Sequence, residues 1–182
     1  SHTLSKAITL APNSSIAHHN LGLLHSKLDR HTLAATSFQR AITIDPHNPE
    51  THLHLGKSLF KETRYSEAIQ TLKNAASTTP PPNSLLIAEI LFTLGAVYVE
   101  NLDYILATHA LEKSITANPE NPEAHLNLGA ALVKLPDRKD EAETAVRTAI
   151  TLDPGAPEAH RNLGSVLKLQ MHHSHCHSTL PQ

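Results

Sequence analysis

The sequence predicts an all-α solenoid of antiparallel helix hairpins, on three observations. A Leu-Gly pair recurs at Leu21-Gly22, Leu55-Gly56, Leu94-Gly95, Leu128-Gly129 and Leu163-Gly164, in steps of 34, 39, 34 and 35 residues. Prolines 12, 46, 80, 119 and 154 keep nearly the same step. Around each glycine the apolar residues follow helical spacing, as Leu126, Leu128, Leu132 and Val133 do around Gly129. A glycine inside a helix costs about 1 kcal/mol relative to alanine. Five of them in one register predict helices that pack closely at that point.

Residues 1–14 read as the second-helix remnant of a truncated repeat, because Lys6-Ala7-Ile8 aligns with Arg40-Ala41-Ile42. The chain opens on Ser1 in mid-repeat, so a piece of a longer protein is expected. Residues 15–48 and 49–82 are complete repeats. Residues 83–121 form a repeat with an N-terminal insertion, carried by PPPNSLLIA, where three prolines force an extended bend and Asn83 or Ser84 caps an elongated helix. Residues 122–156 form a repeat with one inserted residue near LPDRKD, where Pro136 ends the first helix. Residues 157–170 are expected to be a C-terminal capping helix, and 171–182 a disordered His-rich tail.

The first complete unit carries His18, Leu21, Gly22 and His25 on one helix, then Ala34, Phe38 and Ala41 on the next, then Pro46. This resembles the tetratricopeptide repeat, with the pattern W-x2-L-G-x2-Y followed by A-x3-F, A and P. Histidines occupy its Trp and Tyr slots. The resemblance covers about residues 2–170 and implies a right-handed superhelix whose first helices line a concave face. Slots 2, 5, 6, 9, 12 and 13 of each repeat then point inward.

Composition narrows the function. Lys and Arg number 15 against 17 Asp and Glu, for a formal net charge of −2. Nucleic-acid binding needs a concentrated basic face, which is not found here. No apolar run reaches the roughly 20 residues that span a bilayer, so no membrane contact is expected of this segment. Cys176 is the single cysteine, which forbids an internal disulfide and fits a reducing, cytoplasmic setting. There is no nucleophile motif, phosphate loop or H-E-x-x-H, so the segment is read as non-catalytic and without a cofactor.

Fifteen histidines invite a metal reading. Four of them (His18, His52, His125 and His160) repeat in one slot, which an asymmetric active site would not do; they are read as packing against the second helix of their own hairpin. In the tail, His172, His173, His175, Cys176 and His177 carry imidazole and thiolate ligands suited to zinc, copper or nickel, without a second shell to fix them.

What remains is the groove. Slot 6 holds Asn20, His54, Thr93, Asn127 and Asn162, polar in every unit, and amides there hydrogen-bond an extended peptide backbone. The asparagines resemble those in the repeat region of the O-linked N-acetylglucosamine transferase; His54 and Thr93 depart from that pattern. Leu53, Phe92 and Leu126 are the expected apolar anchors, with Lys57 and Arg161 among the basic groups. The Lys/Asn clamp that similar repeats use on acidic chaperone tails is missing, since its slots hold His19, Leu23 and glutamates. The function expected is a protein-interaction scaffold that binds an extended peptide or partner helix. The alternative is the substrate-recruiting arm of a larger enzyme such as a glycosyltransferase.

Overall fold

A computed structural model of the chain describes residues 13–78 and 84–177, with backbone only at 84 and 170–177. The remnant expected over residues 1–12, the triple-proline bend within 79–83 and the end of the tail at 178–182 lie outside the described residues.

The described residues form nine α-helices and no strand. They are α1 (Ser15–Lys27), α2 (His31–Ile44), α3 (Pro49–Lys61), α4 (Tyr65–Thr78), α5 (Ser84–Glu100), α6 (Tyr104–Ala117), α7 (Pro122–Leu132), α8 (Lys139–Leu152) and α9 (Pro157–His177). Odd-numbered helices are the first members of each repeat and even-numbered ones the second. Contacts run α1 to α2, α2 to α3 and onward along the chain, while first helices also touch the next first helix. This is the nearest-neighbour stacking of a solenoid.

Starts and stops follow local chemistry. Ser14 Oγ accepts from Ala17 N at 3.2 Å, and Asn48 Oδ1 from Thr51 N at 3.0 Å. Asn121 Oδ1 accepts from Glu123 N at 3.1 Å and Ala124 N at 3.3 Å. Proline follows the cap directly at Pro49 and Pro122, where its missing N–H costs nothing. The turns inside the hairpins each use one residue in the left-handed region: Asp29, Thr63, Leu102 and Asp137. In the first three turns the next amide donates back into the helix, as Asp103 N does to Tyr98 O at 2.9 Å, a Schellman closure without glycine.

The glycines sit where the hairpins close. A Cβ at Gly22 would meet Phe38 Cε1 at 2.5 Å; at Gly56, Leu72 Cγ at 2.6 Å; at Gly95, Leu111 Cγ at 2.5 Å. Gly129 faces Val146 in the same way, whereas Gly164 has no such neighbour. Phe38, Leu72, Leu111 and Val146 are fully buried, each the plug of its own hairpin.

One boundary is corrected. The last helix does not stop at 170 but runs to His177, so Met171–His177, read from sequence as disordered, is helical backbone. The stretch holds no proline or glycine before Pro181, and histidine and serine are only mildly unfavourable in helices.

Candidate functional site

The concave face is built by α3, α5, α7 and α9. Lys57, Phe60 and Lys61 from α3, Phe92, Thr93, Ala96, Val99 and Glu100 from α5, Asn127 from α7 and Glu158 from α9 line one cavity of about 610 Å³. Four successive first helices share it, so the superhelix curves tightly enough to bring Glu158 to the same groove as Lys57. A second cavity of about 440 Å³ adjoins it, lined by Lys57, Leu85, Glu89, Phe92, Asn118, Asn121 and Glu123. Phe92 and Lys57 stand between the two. Cavities of about 450 and 620 Å³ also lie along successive second helices, the first lined mainly by threonine and charged groups and the second by α6, α7 and α8.

Among the residues singled out from sequence, the structure brings Lys57, Phe92, Thr93 and Asn127 into one cavity. Leu53 is a correction. It is 1 % exposed and belongs to the core, so its side chain serves the contact between neighbouring repeats and offers nothing to a partner. Slot 5 faces inward in the repeat pattern, but the packing of α3 against its neighbours closes it at Leu53. Thr93 also differs from expectation: it is 5 % exposed and its hydroxyl donates to Glu89 O at 2.8 Å, which leaves no free donor for a peptide. The polar ladder is therefore interrupted at its middle rung. Asn20 is exposed, and His54, Leu126, Asn127 and Asn162 are half-buried. Arg161 is exposed and pairs with Glu158 at 3.5 Å. The side chains of His172, His173, His175, Cys176 and His177 lie outside the described residues.

The repeated histidines have a defined structural role, different in detail from own-hairpin packing. The Nε2–H groups of His52, His125 and His160 donate to the carbonyls of Pro46, Pro119 and Pro154, at 2.9, 2.9 and 3.0 Å. Each ring thus ties a first helix to the proline that ended the previous repeat. The signal was present in sequence as the constant six-residue offset from proline to histidine.

Sequence reasoning missed two sets of groove residues. Glu89 lies beyond the first turn of α5, and its carboxylate pairs with Lys57 Nζ at 2.5 Å, across two repeats. Phe60, Val99 and Glu100 occupy slots 12 and 13, which the inward-facing slot pattern already implied. At the other end of α3, His19, His54 and Phe38 form an aromatic cluster. The Phe38 and His54 rings stack with centroids 5.6 Å apart, and His19 meets both edge-on at 5.6 and 5.5 Å. Burial holds both imidazoles below their ordinary pKa, with His19 and Lys57 adding to the effect at His54.

A stack of close-packed helical hairpins around a polar, ion-paired groove defines a protein-interaction scaffold. Family models described as tetratricopeptide repeat match residues 27–88 and 98–167, and a second such model matches 2–49. The chain belongs to the tetratricopeptide-repeat family. Among curated relatives it is 28 % identical over 131 residues to the type IV pilus assembly protein PilF of Pseudomonas aeruginosa, covering 72 % of this chain and 51 % of PilF. It is 26 % identical over 107 residues to the BBSome complex member BBS4 homolog of Drosophila melanogaster, covering 59 % of this chain and 21 % of that protein. The chain thus spans about half or less of the length of these relatives. Among solved structures, YrrB, described as having an unusual peptide-binding site, superposes with a TM-score of 0.76 at 21 % identity, over 92 % of this chain and 84 % of YrrB. A MamA structure does so with a TM-score of 0.73 at 26 % identity, over 88 % and 89 %.

Proposed function

We propose that this chain binds an extended peptide segment of a partner protein along its concave face. The observation that carries this reading is the 610 Å³ groove shared by α3, α5, α7 and α9. Phe60, Phe92 and Val99 give its floor an apolar site for one anchoring side chain, and Asn127 offers amide donors and an acceptor for a peptide backbone. Lys61, Glu100 and Glu158 supply charges of both signs, which favour a bound segment carrying complementary charges. The YrrB likeness supports a peptide as ligand, since that protein shares the fold and is described by its peptide-binding site.

The test is selection of a displayed peptide library on the full chain, followed by fluorescence-polarisation affinities for the selected peptides. Phe92→Ala is expected to weaken binding about tenfold or more, the loss of about 1.4 kcal/mol that marks a central anchor. Arg40→Ala, on the second-helix side, is expected to leave it unchanged. Peptides that bind Phe92→Ala as tightly as the parent, or that depend on Arg40, would place recognition elsewhere.

A further inference from the structure

Three potential ligands for a metal ion converge where the first two described repeats meet. His19 comes from α1, and Glu50 and His54 come from consecutive turns of α3. Each offers one ligand atom, and the three atoms lie within 4.8 Å of one another. We propose that His19, Glu50 and His54 form a divalent-metal site, best suited to Zn²⁺, that links two repeats at the edge of the concave groove.

The chemistry of the set fits that ion. Two imidazoles and a carboxylate are a known zinc ligand combination, and imidazole favours zinc, copper or nickel over magnesium or calcium. Zinc bonds of about 2.0–2.2 Å hold tetrahedral ligands about 3.3 Å apart, so the cluster must tighten by the order of 1 Å. Glu50 is exposed and free to swing. The rings are held more firmly. His54 stacks on Phe38, which is fully buried, and His19 abuts both.

A supporting outer contact is already present. His19 Nδ1 lies 2.9 Å from Thr51 Oγ1, a buried hydroxyl on α3. With Nδ1–H donated to that oxygen, the lone pair falls on Nε2, which is how metal-bound histidines are normally oriented. Three protein ligands leave a fourth position for water or for a carboxylate or imidazole of a partner. The site rests on its own ligand geometry and stands whether or not the neighbouring groove takes a peptide.

The experiment titrates the full chain with ZnCl₂ by calorimetry and by thermal unfolding, beside His54→Phe and Glu50→Gln. Phenylalanine keeps a ring on Phe38 while removing the ligand, and Glu50→Gln alters an exposed side chain, so one of the two reports even if the other unfolds. The wild type is expected to bind one more equivalent than His54→Phe. At a hundredfold excess over Kd its Tm is expected to rise by about 5–10 °C, because the ion binds only when α1 and α3 are docked. Both variants lose that rise, and MgCl₂ produces none. An equal rise and stoichiometry in both variants would assign zinc to other ligands, such as the tail, and overturn the proposal. So would a wild type whose Tm does not respond.

Discussion

The register of the glycines gives the sharpest test of the fold. Gly56 and Gly164 occupy the same slot of different repeats, yet their surroundings differ completely. A methyl group at Gly56 would lie 2.6 Å from Leu72 Cγ and 2.7 Å from Cδ2, well inside the 3.4 Å where ordinary contact begins. Leu72 is fully buried and cannot retreat, so α3 and α4 must separate or the leucine must leave its rotamer. Such overpacking costs about 1–3 kcal/mol. Replacing a helical glycine by alanine gains about 1 kcal/mol. Gly56→Ala is therefore expected to be neutral to destabilising by about 2 kcal/mol. Gly164 has nothing within 4 Å of its would-be Cβ and is exposed, so Gly164→Ala keeps the full gain. Urea unfolding followed by circular dichroism measures both. In thermal scans the two variants should differ by about 2–4 °C for each kcal/mol that separates them. If Gly56→Ala stabilises as much as Gly164→Ala, the close-packing account of the repeat is wrong.

Three further outcomes follow from particular residues. Leu53→Ala should cost about 2–5 kcal/mol of stability, read by urea midpoint, while leaving peptide affinity of the folded chain unchanged; Leu53 as a groove anchor would reverse that pattern. Asn121→Ala should cost about 1 kcal/mol because two amides lose their acceptor, and Asn121→Ser should recover most of it; equal losses in the two variants would exclude capping as the cause. Acid should weaken the fold through His54. Burial, with His19 and Lys57, lowers its pKa below 6.5, against the opposing pull of Glu50 and Glu89. The unfolded chain therefore binds a proton at this residue that the folded chain refuses. The stability involved is present above pH 6.5 and is lost as pH falls through the lowered value. His54→Phe should lose less stability than wild type between pH of about 7.5 and about 5.5, measured by urea midpoint. An equal loss would remove His54 from the acid response.

The architecture was legible because a solenoid repeats its local rules. Leucine-glycine pairs, prolines at helix ends and alanine-rich second helices each report nearest-neighbour packing, which joins residues of one repeat or of adjacent repeats and so leaves a period. The glycines determine how closely a hairpin closes, and that was readable from Gly22, Gly56, Gly95 and Gly129 without coordinates. The groove was legible only by slot. Slot membership marked Lys57, Phe92 and Asn127, but it does not say which inward position another repeat covers. Packing α3 against its neighbours buries Leu53, and the inward turn of Thr93 satisfies its hydroxyl on its own helix. The pairing of Lys57 with Glu89 and the convergence of His19, Glu50 and His54 depend on the rotation between successive hairpins. That rotation is the sum of many side-chain contacts, and no single residue encodes it.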